Sequence, residues 1–366
     1  MPTRIVLFGA TGYTGRLVAE QMVQRGLSPL LAARSREKLA AMGEELGGLK
    51  TAVADVDRPQ TVRDLVEKGD VLVTTVGPFV RWGGPALDAA IGAGAHYLDS
   101  TGEPSFIRRV FEREGPRAEA AGCGLLTALG YDWVPGNLAG ALALREAGDR
   151  AVSVRIGYFL LGEGLGGMSG GTKASAAGAL LEPGYAWRGG RIVTERGAAR
   201  VATFDVDGRR RQGISAGSTE AFALPRLQEG LMEVDVYLGW FGGASRAMSA
   251  FSLGMSGIRA LPGAKNGIDA VVKRFVKGST GGPDAEARAR GGSEIVAEAR
   301  DGSGAAVSQV RLTGVDGYTF TGAMLAWAAE RVAGGGLRGS GALGPADGFG
   351  LDELEAGVAE AGIRRA

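Results

Sequence analysis

Apolar residues fall along this chain in short runs separated by stretches of helix length. Ile5-Val6-Leu7-Phe8 is an unbroken apolar run too short for a helix, and it leads into Gly9-Ala10-Thr11-Gly12-Tyr13-Thr14-Gly15. Leu17-Val18-Ala19-Glu20-Gln21-Met22-Val23 follows with helix composition, so the start reads as strand, tight turn, helix. The rhythm repeats. Ser28-Pro29-Leu30-Leu31-Ala32-Ala33 reads as a second strand, and Thr51-Ala52-Val53-Ala54 as a third that closes on Asp55-Val56, with a helix after Pro59. Val71-Leu72-Val73-Thr74-Thr75-Val76 has the apolar character of a central strand and ends at Gly77-Pro78-Phe79. A helix is expected over Pro85 to Ala93, a fifth strand at Tyr97-Leu98-Asp99, helical sequence after Pro104, and a sixth strand at Leu125-Leu126-Thr127-Ala128-Leu129.

Strands alternating with helices predict an α/β domain, a Rossmann-type doubly wound parallel sheet with right-handed crossovers. Past residue 137 the pattern changes to alternation. Ala151-Val152-Ser153-Val154-Arg155-Ile156-Gly157-Tyr158 and Met232-Glu233-Val234-Asp235-Val236-Tyr237-Leu238 read as strands half exposed to water, and Val307-Ser308-Gln309-Val310-Arg311-Leu312 less cleanly so. This predicts a second, α+β domain with a mixed or antiparallel sheet. The expected organisation is a dinucleotide-binding domain over 1–137 and a substrate or dimerisation domain over 138–321. A helix from Gly322 to Val332 and the tail from Leu351 are expected to return to the first domain.

Ligands of open parallel sheets bind beyond the carboxyl ends of the strands, and the residues at those ends suit a dinucleotide. Gly9 permits the sharp turn, Gly12 lets the backbone approach a pyrophosphate, and Gly15 lets the helix lie close on the strand. Thr11, Tyr13 and Thr14 complete the phosphate turn. About 20 residues past the glycines an NAD site carries an acid for the ribose hydroxyls, but this chain has Ala33 and Arg34 there. A carboxylate would repel a 2′-phosphate, whereas a guanidinium binds one bidentately, with Ser35 as a hydroxyl donor and Lys38 adding charge. The expected cofactor is therefore NADP(H), with Asp55, Val56, Val76, Gly77 and Pro78 lining the remaining strand ends.

Four segments also carry a family resemblance: Gly9 to Gly15, Thr75-Val76-Gly77-Pro78-Phe79, Tyr97-Leu98-Asp99-Ser100-Thr101-Gly102-Glu103, and Gly130-Tyr131-Asp132-Trp133-Val134-Pro135. They resemble the saccharopine dehydrogenase-like NADP-binding oxidoreductases, in the bacterial group that includes trans-acting enoyl reductases of lipid biosynthesis. The resemblance covers residues 1 to about 137 and returns at Gly341-Ala342-Leu343-Gly344-Pro345-Ala346-Asp347-Gly348-Phe349-Gly350. It implies the cofactor and the fold. Amino-acid dehydrogenases and lipid reductases both occur in that family, so it leaves the substrate open.

Composition narrows the partners. The 366 residues suffice for two domains, and a formal net charge of +1 argues against nucleic acid. The single cysteine, Cys123, can form no internal disulfide and reads as structural, and no metal site is expected. No stretch approaches 18 unbroken apolar residues and no charged-then-apolar leader opens the chain, so a cytoplasmic location is expected. Within 244–277, Met248, Phe251, Met255 and Ile258 recur at helical spacing, and a later apolar set lies beside Lys273, Arg274 and Lys277. Two readings stand: amphipathic helices packed on the second sheet, or a cover with a basic face toward a membrane or an acidic carrier protein. A homodimer is compatible with either.

Candidate chemistry is sparser. The only histidine, His96, precedes the fifth strand on the far side from the strand ends and reads as structural. Tyr131 and Asp132 lie at the carboxyl end of the sixth strand, where the nicotinamide should reach. Thr172 and Lys173 open a small-residue helix in the second domain and either meet an anionic substrate group or serve as an N-cap with a solvated Lys. The catalytic candidates are thus Tyr131, Asp132 and Lys173. The expected activity is NADPH-dependent hydride transfer to a C=C (enoyl) or C=N (imine) bond of a small or lipid-like biosynthetic intermediate. The alternative is a non-catalytic NADP-binding sensor or scaffold.

Overall fold

A computed structural model describes residues 3–162, 183–259 and 281–366. Contacts divide the chain into two units. One comprises Met1–Gly102, Phe106–Val134 and Gly317–Gly362; the other comprises Glu103–Ser105, Pro135–Asp316 and Ile363–Ala366.

The first unit is built on β1 (Ile5–Phe8), β2 (Leu30–Ala33), β3 (Thr51–Val53), β4 (Val71–Thr74), β5 (His96–Asp99) and β6 (Gly124–Leu126). All pair in parallel, in the order 6-5-4-1-2-3. The chain runs outward from β1 to β3, then returns to the other side of β1 to lay down β4. The carboxyl ends of β1 and β4 therefore flank the point where the winding reverses, the place at which such sheets open a crevice. All four β4 residues are buried, as a strand covered on both faces requires. Gly341 and Ala342 add a seventh parallel strand beside Gly124 and Leu125. Two residues are too few for any periodicity to announce.

Strand six is shorter than its apolar run suggests, ending at Leu126. Ala128 takes a left-handed φ of 58°, and the Thr127 hydroxyl and Ala128 N–H turn to the Asp99 carboxylate instead of continuing a ladder. His96 opens β5, and its Nδ1 accepts from the Gly124 N–H at 3.0 Å. Burial lowers its pKa, in keeping with a neutral structural imidazole. Helix α1 (Tyr13–Gln24) follows β1, and helix α2 (Arg36–Glu45) follows β2. The returning helix spans Gly317–Ala333, starting over a turn before the expected Gly322.

The second unit holds a mixed sheet. Ser153–Leu161 lies parallel to Glu233–Leu238, and the other pairings are antiparallel. Hairpins turn at Gly189-Gly190 and at Asp207-Gly208, where both central residues have positive φ, the geometry of type I′ turns. Phe159, Phe204, Val206, Tyr237 and Val296 form a core on this sheet, with the Phe204 ring 5.5 Å from Phe159 and 5.7 Å from Tyr237. A second buried cluster is polar. The Tyr158 hydroxyl accepts from the Gly136 N–H and donates to Glu220 Oε1, both at 2.7 Å. Burial pushes the Glu220 carboxyl up to about 7.

Of the stretch 244–277, Ser245–Arg259 is one helix. Met248 packs against buried Ala198 and Ile214, while Phe251 and Leu253 are 52% and 61% exposed. Residues 260–280 lie outside the described ones, as do Thr172 and Lys173. No helix among the described residues is long and apolar enough to cross a membrane.

Candidate dinucleotide and proton-transfer site

Because the strands of the first sheet are parallel, their carboxyl ends share one edge, and the candidate residues line it. Buried Phe8 gives way to Gly9, whose φ of 91° lets the chain reverse. The N–H groups of Gly9 and Ala10 donate to the Ala32 carbonyl at 2.8 and 3.2 Å, and the Gly12 N–H donates to the Gly9 carbonyl at 2.9 Å. The turn is compact enough that a Cβ on Gly15 would lie 2.2 Å from the Gly9 oxygen. Gly12 is the N-cap of α1 and has no side chain to cap it, and the first turn carries no acid. The positive end of the helix dipole is thus left for an anion, with half-buried Thr11, Tyr13 and Thr14 around it.

The ends of β1 and β4 are fastened together. The Thr75 N–H donates to the Phe8 carbonyl at 2.9 Å, and the Thr75 hydroxyl to the Gly9 carbonyl at 3.2 Å. A Cβ on Gly9 would meet Thr75 Oγ1 at 2.7 Å and Val76 Cγ2 at 2.9 Å. The structure thereby brings Gly9 and Val76 together from positions far apart in the chain. Gly77 and Pro78, joined by a cis peptide bond, carry β4 into the short helix Phe79–Trp82.

At the end of β2, Arg34 is exposed and makes no side-chain hydrogen bond or ion pair among the described residues. Ser35 caps α2, its Oγ accepting from the Lys38 N–H at 3.3 Å, which leaves the hydroxyl proton to donate elsewhere. Asp55 is engaged with its own turn. Its N–H donates to the Thr61 hydroxyl at 2.9 Å, and its Oδ1 accepts from the Asp57 N–H at 3.0 Å. Val56 beside it is half-buried.

Tyr131 and Asp132 follow β6. Tyr131 is buried; its N–H donates to the Thr321 hydroxyl at 3.0 Å and its ring lies against Gly317. Asp132 is half-buried and packs on Gly102, where a Cβ would stand 3.1 Å from Oδ2. Its Oδ1 is sealed from solvent, with no hydrogen-bond partner among the described residues. Burial alone pushes this carboxyl from an ordinary 3.8 up to about 7.

Two contributors, Tyr318 and Thr321, lay outside the sequence expectation. The helix Gly317–Ala333 supports the site, through Thr321 under Tyr131 and through Tyr318, whose ring meets Tyr13 edge-on at 5.3 Å and 85°. Asp99, fully buried, ties the loops after β5 and β6. No local signal points to Tyr318 or Thr321, because their partners lie some 300 and 190 positions away. Asp99 stood at the end of the fifth strand in the sequence reading, with no role of its own assigned to it.

Residues 5–124 match the family model of the saccharopine dehydrogenase NADP binding domain. Over 179 residues the chain is 37% identical to a Mycobacterium tuberculosis protein provisionally named a trans-acting enoyl reductase, a match covering 47% of this chain and 42% of that protein. A trans-acting enoyl reductase of Mycobacterium ulcerans is 36% identical over 140 residues, covering 37% and 34% of the two chains. The matched region thus spans less than half the length of these relatives. The solved saccharopine dehydrogenase (L-Glu forming) of Saccharomyces cerevisiae covers 100% of this chain and 99% of its own, with a TM-score of 0.62 at 13% identity. The fold is shared across both units.

Proposed function

We propose that this protein is an NADPH-dependent reductase in which Asp132 supplies the proton that accompanies hydride addition. The cofactor fits the residues present. A Cβ on Gly12 would meet only the Gly9 carbonyl oxygen, at 3.2 Å, so the turn is otherwise open there among the described residues, and the exposed guanidinium of Arg34, with Ser35 and Lys38, suits a 2′-phosphate. When bound, NADPH supplies a hydride.

The observation that carries the reading is Asp132. A carboxyl at the carboxyl edge of an NADP-binding sheet, half-buried with one oxygen unpartnered among the described residues and a pKa of about 7, is a proton donor matched to neutral pH. Reduction of a C=C bond conjugated to a carbonyl, or of a C=N bond, adds one hydride and one proton, so one such acid suffices. The names of the mycobacterial relatives favour the enoyl acceptor. Thioester-borne substrates come on carriers, and exposed Phe251 and Leu253 are the surface we assign to that contact. Lys173 remains a candidate for the substrate's anionic group.

The test is oxidation of NADPH, followed by its absorbance, with an α,β-unsaturated acyl thioester and with a cyclic imine as separate probes. Turnover of the thioester, lost in Asp132→Asn while NADPH binding persists, is the expected result. Turnover of the imine alone would move the assignment to C=N chemistry. Undiminished turnover by Asp132→Asn would remove Asp132 from the mechanism, and NADPH binding without oxidation of either probe would favour a sensor.

A further inference from the structure

We propose that Asp99 is a positioning residue that holds the Asp132 carboxyl in place by fastening the two loops that enclose it. This rests on the reading of Asp132 as the proton-handling group. Asp99 ends β5 and is fully buried. Its Oδ1 accepts two backbone N–H groups, from Thr101 and from Ala128, each at 2.8 Å. Its Oδ2 accepts the Thr127 hydroxyl at 2.8 Å, and its carbonyl accepts the Leu129 N–H at 2.7 Å.

These bonds run into two arms. Thr101 leads directly to Gly102, the surface on which Asp132 Oδ2 rests. Thr127, Ala128 and Leu129 lead through Gly130 and Tyr131 to Asp132 itself. The second arm is then folded back, because the Trp133 N–H donates to the Ala128 carbonyl at 3.1 Å and the Val134 N–H to the Gly130 carbonyl at 3.0 Å. One carboxylate therefore anchors both sides of the seat. Ala128, a non-glycine residue at φ 58°, needs such an anchor, since the left-handed conformation is disfavoured for alanine.

Burial of Asp99 raises its pKa, and the donors from Ala128, Thr101, Thr127 and the Tyr97 side chain oppose that by favouring the anion. Among the described residues no charged neighbour contributes to the shift of Asp132, which comes from desolvation. Its proton affinity is then a measure of how tightly the Gly102 arm closes against it. If the arms part, water reaches the carboxyl and its pKa falls toward the ordinary range.

The experiment uses full-length protein labelled at the aspartate side-chain carboxyl carbons, with the Asp132 resonance assigned by its loss in Asp132→Asn. The variants are Asp99→Ala and, where that chain fails to fold, Thr127→Val, which removes one tie and keeps the shape. The Asp132 midpoint is expected to fall by about 1 pH unit in Asp99→Ala and by about half as much in Thr127→Val. NADPH affinity should stay unchanged in both, because the phosphate turn lies on other strands. A folded variant whose Asp132 midpoint stays at the wild-type value overturns the clamp, and so does a loss of NADPH affinity parallel to the shift, which marks general loosening of the domain. The readout needs no substrate. Failure of the reductase reading would appear in the turnover of Asp132→Asn, and failure of the clamp in this titration.

Discussion

Replacing Asp132 with asparagine should make the protein more stable, and increasingly so as the pH rises. The native carboxyl titrates at about 7 and its ordinary value is 3.8. Between those values the folded state binds a proton that the unfolded state has released, so wild-type stability falls as pH rises through the window. Above about 7 both states are ionised and the penalty is complete. At ~1.4 kcal/mol for each tenfold change it amounts to about 4 kcal/mol as a ceiling. Asp132 keeps part of its surface in solvent, which screens the ion and lowers the real figure. Asparagine fills the same space without ionising, so it escapes the penalty. Urea unfolding of both proteins at pH 5 and pH 8 isolates the effect. Glu220, the other carboxyl pushed up to about 7, is present in both chains and cancels in the difference. The stabilisation by Asp132→Asn is expected to grow by about 2 kcal/mol from pH 5 to pH 8. A difference that is flat with pH, or that favours wild type at pH 8, would refute the desolvated carboxyl and with it the proton donor.

Two further outcomes test the cofactor edge. Arg34→Ala should weaken NADPH binding by about 1.5–3 kcal/mol, the worth of a hydrogen bond to a charged group, and leave NADH binding unchanged; equal losses for both cofactors in a titration would count against a 2′-phosphate site. Gly12→Val should fold, its Cβ meeting only the Gly9 oxygen at 3.2 Å, yet lose the rise in melting temperature that NADPH gives wild type. Gly15→Ala should instead lower the melting temperature without any ligand, because its Cβ would stand 2.2 Å from the Gly9 oxygen.

Local order was legible in the sequence wherever one element's own residues carry the constraint. The run Ile5–Phe8 into glycines into a helix could form little else, and the apolar Val71–Thr74 is buried through its whole length. The alternation of strand and helix sufficed for a doubly wound parallel sheet, because chirality and short connections leave few other ways to assemble such units. Asp207-Gly208 and Gly189-Gly190 form type I′ hairpin turns that the sequence reading did not pick out, although their turn chemistry suits them. The flanks of the first of them, Arg209-Arg210-Arg211, hid a strand whose outer positions face solvent.

The tertiary structure decided what depends on residues distant in sequence. Two residues at Gly341–Ala342 become a strand only because Gly124–Leu126 offers an open edge. Tyr318 meets Tyr13, and Thr321 receives the Tyr131 N–H, only because the chain returns to the first unit after leaving it for nearly two hundred residues. Asp132 shows the division most clearly. Its position after a strand made it a candidate from sequence alone. Whether it holds a proton at neutral pH depends on solvent exclusion by Gly102 and the loops tied to Asp99, and desolvation is a property of the packed surroundings that no single segment of chain contains.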